Sequence, residues 1–405
     1  MEIHSQPLAS AAEIKALATE LKKHSIIAFD TEFIRETTFF PIVEIIQVAT
    51  TQDSWLVDAQ AFKRNYRQGP EGSFDAGLKP LLEIFEDPAI LKVAHAVQGD
   101  QECLFTSFGA VATPVFDTAI GASLCGLGEG IGLSKLLKAV MEVDIAKGHA
   151  RTNWSVRPLP EELLAYAHAD VQYLVEMAQK LLAELEKLGR KQWALEHSEK
   201  WSDKAMYSAD IEAMAVKLAR SRRLDKRAFA SLIELVRWRE NRVRHLNLPR
   251  RWVADDNVLL DLASVRPKTM EHLSSFRGLN KGELKNSGQT ILDAIQAASA
   301  HADIKPPHIP KPDIPTVEES QVLDLLKCFV GILADRHKIA AKYLLTSAQL
   351  LPLLKRETNN PEELVAFGVL TPEAATLIGG EIIAFLHGKR ALAVNGKQID
   401  IVEKN

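Results

Sequence analysis

The stretch IIAFDTEF (residues 26–33) sets two acidic residues in a run of apolar ones. Its β-branched and aromatic residues are typical of a buried β-strand. Because side chains alternate along a strand, Asp30 and Glu32 are expected on the same face, roughly 7 Å apart. Two carboxylates on one buried face repel each other and resist desolvation, and bound cations relieve both effects.

Metal binding is one of two interpretations that this stretch leaves open. Mg²⁺ prefers oxygen ligands and usually binds one or two carboxylates together with substrate phosphate. Two ions about 3.5–4 Å apart can stabilise both the attacking and the leaving oxygen of a phosphoryl transfer. Alternatively, the acids cap a strand end or pair with Arg35.

Length and composition narrow the class of protein. The 405 residues predict two or three domains, and 46% hydrophobic with 25% charged residues is typical of a soluble globular chain. There is no apolar run of about 18 residues, no secretion signal in MEIHSQPLAS, and only three scattered cysteines, Cys103, Cys125 and Cys328. We therefore expect a cytoplasmic protein without a membrane partner. The net charge of −4 excludes a surface that is basic throughout.

The first half of the chain alternates between strand and helix patterns. Three strands with short connections predict an antiparallel meander, and alternating helices and strands follow it to about residue 195. The predicted fold class of this part is α/β, or mixed α+β. The patterns predict helices over 11–24, 77–85 and 99–109, and strands over 25–31, 42–50, 54–58, 90–95 and 115–117.

The second half is predicted to be helical and duplicated. A first helical block (residues 210–298) and a second helical block (residues 318–395) flank the proline-rich stretch 299–317, which favours an extended spacer. A shift of 91 residues aligns the blocks without a gap and places Trp252 on Tyr343. Eight identities in one register argue for a duplicated domain. They are Leu259/Leu350, Leu260/Leu351, Leu262/Leu353, Leu273/Leu364, Phe276/Phe367, Leu279/Leu370, Gly288/Gly379 and Ile291/Ile382.

Two further places could complete a metal site with the strand acids. HAVQGD (residues 95–100) brings Asp100 to the start of a helix, although Asp is also a common N-cap. In LAYAHADV (residues 164–171), Tyr166 and Asp170 lie one turn apart on one helix face. A tyrosine beside a metal-bound carboxylate can hold an attacking water, but an ordinary amphipathic helix explains the same spacing.

The chain resembles the tyrosine-bearing branch of the DEDD superfamily of 3′–5′ exonucleases. The resemblance rests on three motifs that occur in the order typical of that superfamily, FDTEF, HAVQGD and YAHADVQYL. TEFIRETTFFPIVEIIQVA and NWSVRPLPEELLAYAHADVQYL are similar to the ribonuclease D family, and the helical blocks resemble HRDC domains, which RecQ-type helicases share. The resemblance implies an RNase H-like exonuclease domain (1–195), two all-α HRDC-type domains (210–298 and 318–395) and a linker (299–317).

The same resemblance implies a catalytic site. The metal carboxylates of the family fall on Asp30, Glu32, Asp100 and Asp170, and its water-orienting tyrosine on Tyr166. It implies two divalent ions, Mg²⁺ or Mn²⁺, no small-molecule cofactor, and release of 5′-mononucleotides. Because carboxyl groups ordinarily have pKa values of about 4, we expect the acids to be ionised at neutral pH.

The match has three departures in its third motif region. Asn153 stands where the family commonly has an acid, Leu163 where it has a glutamine, and His168 where it has a small residue. His168 is expected on the helix surface. These changes concern how residues 147–168 hold the substrate.

Other residues are candidates for binding the substrate. Thr31, Phe33, Phe40 and His95 lie near the motifs, and an aromatic such as Phe39 or Phe40 can stack on bases, although a place in the core is the alternative. A basic stripe, the twelve Lys and Arg residues from Lys217 to Arg251, stands against three acids. Such a stripe can follow a phosphate backbone, or it can be a solvated face with internal salt bridges. Its candidate contacts are Arg237, Arg242 and the neighbouring Trp252.

The resemblance implies a 3′–5′ exoribonuclease that trims tRNA precursors and other structured RNAs, and we expect a monomer. A DNA-directed exonuclease of the same fold is the alternative enzyme, since the carboxylates do not read the 2′-hydroxyl. A non-catalytic RNA-binding protein of this fold is the alternative of another class.

Overall fold

The computed structural model describes residues 1–63, 74, 76–145, 152–276, 278–279, 281–298 and 313–404. The N-terminal domain contains one six-stranded sheet in the order β1-β4-β3-β2-β5-β6. Its strands are β1 (Glu2–Ile3), β2 (Ile26–Ile34), β3 (Ile42–Ala49), β4 (Asp53–Asp58), β5 (Leu91–Ala94) and β6 (Val115–Asp117). β2, β3 and β4 form the expected antiparallel meander, and β5 and β6 continue the sheet in parallel with β2.

Helices cover both faces of this sheet. They are α1 (Ala11–Leu21), α2 (Lys79–Phe85), α3 (Gln98–Phe108), α4 (Thr118–Leu124), α5 (Leu133–Met141), α6 (Glu161–Val171), α7 (Leu174–Lys187) and α8 (Lys191–Glu199). Helices α1, α2 and α3 share an apolar core with the face of β2 that carries Phe29. On the other face, where Ala28 lies, α4, α5, α7 and α8 pack, and α6 covers β3 and β4. Helix α8 crosses the expected domain boundary at residue 195.

The edge of the sheet that carries Asp30 and Glu32 is open because β2 is longer than β5. Their parallel pairing ends at Ala28 and Val93, so Asp30 and Glu32 extend past the end of β5. Helix α3 begins just beyond that end, at Gln98. The carboxyl ends of parallel strands are where open α/β sheets usually bind ligands.

Several helices of the first helical block recur in the second one. The first contains α9 (Ile211–Ala219), α10 (Lys226–Leu246), α11 (Arg250–Val253), α12 (Asp256–Val265), α13 (Met270–Ser274) and α14 (Lys281–Ala297). The second contains α15 (Val317–His337), α16 (Ser347–Leu354), α17 (Pro361–Ala366), α18 (Pro372–Ala374) and α19 (Gly380–Leu386). Helices α15, α16 and α17 begin 91 residues after α10, α12 and α13, the shift that aligns the two sequences.

Paired glycines repeat one close contact in both blocks. A Cβ on Gly288 would lie 2.5 Å from Met270 Cε, and one on Gly379 would lie 2.8 Å from Pro361 Cβ. Met270 and Pro361 are themselves 91 residues apart and begin α13 and α17. Both blocks therefore bring this glycine close to the start of the same preceding helix, so a side chain at this position would require its neighbour to shift.

The expectation of helix through residue 395 is wrong. Helix α19 ends at Leu386, and the chain then forms the hairpin β7 (Arg390–Asn395) and β8 (Gln398–Glu403). The sequence RALAVNGKQIDIVE alternates apolar and polar residues around Asn-Gly, the pair that two-residue hairpin turns favour. Most of the expected linker, residues 299–312, lies outside the described residues. Within the part of the chain that is described, the helices are too short or too polar to cross a membrane.

The helical blocks are attached to the N-terminal domain in different ways. Apolar residues of the second block, such as Leu326 and Phe329, belong to the same core as α4, α7 and α8. The first block has its own core, against which the N-terminal domain packs Phe39.

Candidate active site

Three of the four expected carboxylates meet where α6 crosses β2. Oxygen atoms of Asp30, Glu32 and Asp170 all lie within 4.8 Å of one another. Tyr166, one turn before Asp170, is hydrogen-bonded through its side chain to that carboxylate. Oxygen atoms at this spacing on rigid elements suit a hard divalent cation.

Asp100 joins the cluster from the other face of the sheet. Its Oδ1 accepts hydrogen bonds from the backbone N–H of Thr31, at 3.0 Å, and from Thr31 Oγ1, at 2.5 Å. A side-chain hydrogen bond also links Asp100 to Asp30. Thr31, which the sequence suggested as a substrate contact, is buried and orients Asp100 instead.

Burial raises the pKa of every carboxyl group in the cluster, and repulsion by neighbouring acids adds to this effect at Asp30 and Glu32. Desolvation followed by the charges of the neighbouring acids holds the pKa of Asp30 well above its usual range. Desolvation raises the pKa of Glu32 to about 8, that of Asp100 to about 7 and that of Asp170 to about 6. The expectation of four ionised acids at neutral pH is therefore wrong for the metal-free protein, because ordinary pKa values neglect this burial. Protons or cations must neutralise the cluster.

Asp117 supports the site and was missed by the sequence analysis. Its carboxylate accepts hydrogen bonds from the backbone N–H groups of Ala96, at 2.9 Å, and Val97, at 3.2 Å. Ala96 has a φ of 59°, so the turn between β5 and α3 is held in a conformation that few residues adopt. This turn sets where α3 begins and hence where Asp100 lies. In the sequence, Asp117 is only an acid at the end of a short strand, and nothing in that pattern indicates a role in the site.

A cavity beside the cluster was also missed. It has a volume of about 720 Å³ and is lined by Tyr166, Asp170 and the segment 127–135. The glycine-rich sequence GLGEGIG (residues 126–132) was the available signal, and Gly128 and Gly130 have φ values of 113° and 61°. A cavity of this size next to the carboxylates can hold a nucleotide.

The aromatic and histidine candidates are engaged within the protein. Phe33 packs beside Gly99, whose Cβ would lie 3.7 Å from the phenyl ring. Phe40 is buried, so the structure does not offer its faces to a base. His95 is hydrogen-bonded to Thr118 Oγ1 at 2.9 Å, and desolvation lowers its pKa.

His168 is not on the helix surface as expected, and it is only 2% exposed. Its Nδ1 lies 2.7 Å from Ser54 Oγ, because the face of α6 that carries it packs against β4. Leu163 is buried in the same layer, and Asn153 accepts hydrogen bonds from Ser155. All three departures from the family pattern therefore have structural roles.

Internal salt bridges engage five of the twelve basic residues of the stripe, namely Arg222, Arg237, Arg239, Arg242 and Arg250. Arg242 binds Glu283 through two nitrogens at 2.9 and 3.1 Å, and Arg237 lies 3.3 Å from Glu234. Trp252, in contrast, is 53% exposed. The stripe members for which the described residues give no ion pair are Lys217, Arg220, Arg223, Lys226, Arg227, Arg244 and Arg251.

Comparisons with known proteins agree with this architecture. Residues 6–186 match the family described as 3′–5′ exonuclease, and residues 229–295 match the HRDC domain. Ribonuclease D of Granulibacter bethesdensis is 31% identical, over 98% of this chain and 96% of its own. Ribonuclease D of Nitrobacter hamburgensis is also 31% identical, over 98% of this chain and 99% of its own.

A solved structure extends the comparison to the whole fold. The crystal structure of Escherichia coli RNase D, described as an exoribonuclease involved in structured RNA processing, has a TM-score of 0.72 and 26% identity. The match covers 96% of this chain and 99% of that one. The chain belongs to the ribonuclease D family of 3′–5′ exoribonucleases.

Proposed function

We propose that the chain hydrolyses RNA from its 3′ end at two divalent metal ions, Mg²⁺ or Mn²⁺, held by the four carboxylates. The observation that carries this proposal is the convergence of Asp30, Glu32 and Asp170 within 4.8 Å, with Asp100 bonded beside them. A buried cluster with such raised pKa values is costly to keep unless cations bind it. Bound divalent ions supply positive charge to the attacking and leaving oxygens of the phosphodiester.

The protein groups orient the reactants. Asp170 holds the Tyr166 hydroxyl, whose remaining hydrogen-bonding capacity can position the attacking water. The adjoining cavity has room for the 3′-terminal nucleotide, with its phosphate at the carboxylates. Thr31 keeps Asp100 in place through two hydrogen bonds. Hydrolysis in this orientation releases 5′-mononucleotides.

We further propose tRNA precursors and other structured RNAs with 3′ extensions as substrates, and a monomeric enzyme. The E. coli relative is itself an exoribonuclease involved in structured RNA processing. The division of the chain is proposed as an exonuclease domain (1–195), an HRDC domain (210–298), a linker (299–317) and a second HRDC-like domain (318–395). Support for the second domain comes from helices and a glycine contact that recur after 91 residues.

The test is degradation of a 5′-labelled tRNA with a short 3′ extension, with Mg²⁺, with Mn²⁺ and with EDTA. We expect metal-dependent shortening from the 3′ end. Tyr166→Phe should retain metal binding, measured by calorimetry, and slow turnover about a hundredfold, because misplacing a reactant costs on that scale. Trimming of single-stranded DNA but not RNA would support the alternative enzyme, and RNA binding without cleavage under either metal would support a binding protein.

A further inference from the structure

The segment that follows β2 is held at both ends. Arg35 binds Glu102 on α3 through two nitrogens, each at 2.6 Å. At the other end, the backbone N–H groups of Phe39 and Phe40 donate to Asn247 Oδ1 at 3.1 and 2.9 Å. Between these anchors lies a tip, residues 36–38, in which Glu36 and Thr37 are exposed.

The second anchor belongs to the first helical block. Asn247 caps the C-terminus of α10 with a φ of 50°, a left-handed conformation that asparagine tolerates better than most residues. Two arginine side chains of the same block lie over the phenyl rings of Phe39 and Phe40. The guanidinium of Arg250 lies 4.8 Å from the ring centre of Phe39, and that of Arg244 lies 5.6 Å from the ring centre of Phe40. Arg250 is fixed in turn by two 2.7 Å bonds to the buried Glu240.

The held segment borders the carboxylate cluster on two sides. It continues directly from the strand that carries Asp30 and Glu32, and the register of that strand shifts between Glu32 and Phe33. Through Arg35 it also contacts α3, the helix that carries Asp100. The tip therefore begins four residues after Glu32, at the edge of the sheet where the carboxylates lie.

We propose that Asn247 is a positioning residue for the exonuclease reaction, which acts by fixing the tip beside the 3′ end of the RNA. The inference rests on the proposed function and adds a role for the first helical block that does not require the block to touch RNA. Two backbone N–H groups share one acceptor, so the loss of that oxygen frees both at once. The tip then samples other positions, and the RNA end binds less well at the carboxylates.

The test uses a 5′-labelled trinucleotide, which is too short to extend from the carboxylates across the first helical block, beside the 3′-extended tRNA. Asn247→Gly keeps the left-handed turn but removes the acceptor, whereas Asn247→Asp keeps an oxygen in the same place. Lys338→Gly is the matched control, because Lys338 holds the same left-handed position, φ 49°, in the second block.

We expect Asn247→Gly to raise KM about tenfold on both substrates, as for the loss of one or two hydrogen bonds, with kcat within about twofold. Asn247→Asp and Lys338→Gly should behave as the unmodified protein. Arg244→Gln leaves the turn intact and should raise KM for the trinucleotide by a smaller factor.

Three results would overturn the proposal: unchanged KM for the trinucleotide in Asn247→Gly, a change confined to the tRNA, or equal impairment of Asn247→Asp and Asn247→Gly. Thermal melting of each variant separates these results from unfolding. A trinucleotide and a tRNA that the unmodified protein leaves intact would instead refute the proposed function. Hydrogen exchange at the Phe39 and Phe40 amides, faster in Asn247→Gly, reads the contact independently of catalysis.

Discussion

The two helical blocks contact the N-terminal domain through the same corner, the C-terminal end of α10 in the first block and of α15 in the second. They use this corner in opposite ways. In the second block, the carbonyl of Lys338 and that of His337 accept hydrogen bonds from the buried Arg190 at 2.9 and 2.5 Å. Gly126 packs against this backbone so closely that a Cβ would lie 2.6 Å from the Lys338 carbonyl carbon. In the first block, the equivalent Asn247 makes its contacts through its side chain, with a segment next to the carboxylates.

A second pair of equivalent residues, Tyr343 and Trp252, shows the same difference between the blocks. Tyr343 packs its ring against Trp193 and His197 of the N-terminal domain, with centroids 6.2 and 5.1 Å apart. Its counterpart Trp252 is 53% exposed. A duplicated module has thus become a fixed part of the core in one copy, whereas in the other copy Asn247 contacts the segment after β2 and Trp252 is exposed.

The largest effect should come from Asp30→Asn, which tests whether chemistry is confined to the N-terminal domain. We expect turnover to fall about a thousandfold, the scale for losing preorganised electrostatic stabilisation of a transition state. RNA affinity should change little if the helical blocks contribute to binding. Gel-shift titration and a cleavage assay measure the two quantities, with the exposed Glu162→Gln on α6 as control. Parallel loss of binding would contradict this division.

The second effect tests how firmly the second block is attached. Arg190→Ala removes a guanidinium that donates to three carbonyls, those of Leu124, His337 and Lys338. We expect the free energy of unfolding to fall by about 3 kcal/mol, since buried acceptors lose their partners. Urea unfolding followed by circular dichroism measures this loss. A loss no larger than that of Asn247→Gly would remove the contrast between the blocks.

The paired aromatic residues sharpen the comparison further. Tyr343→Ala should lower the free energy of unfolding by about 2 kcal/mol, because it empties a packed site. Trp252→Ala should change stability by less than about 0.5 kcal/mol, as at most exposed positions. If Trp252 stacks on RNA, its removal should weaken binding about fivefold. Equal destabilisation by the two changes would mean that Trp252 is also a packing residue.

The smallest effect concerns pH and should be confined to the carboxylate cluster. Glu32 and Asp100, with pKa values of about 8 and about 7, keep protons in the folded state that the unfolded chain has lost. The metal-free protein should therefore lose stability as the pH rises from about 5 to about 8. Its melting temperature should fall over that range, and Mg²⁺ should restore more of the lost stability at the higher pH.

Melting curves at both pH values, with and without Mg²⁺, measure this dependence. Asp30→Asn should flatten it by removing one interacting acid. A metal-free protein whose stability rises with pH would contradict the raised pKa values.

Much of the fold follows from local patterns in the sequence. Alternation in β2 placed Asp30 and Glu32 on one face, and the spacing in α6 placed Tyr166 and Asp170 on one side, as the structure has them. The hairpin from Arg390 to Glu403 had an Asn-Gly signal that the helical context obscured. Sequence patterns could not place His168, because its burial depends on β4, more than a hundred residues earlier.

By itself, the sequence determined the order of the acidic motifs, the strand and helix that carry them, and the 91-residue repeat. These features depend on side-chain periodicity and on identities that a chain carries in any surroundings. Only the tertiary structure decided that Thr31 anchors Asp100, that burial raises the pKa values of the carboxylates, and that Asn247 and Lys338 serve different contacts. Such properties depend on neighbours distant in the chain, and similar local sequences acquire different ones when they pack against different surfaces.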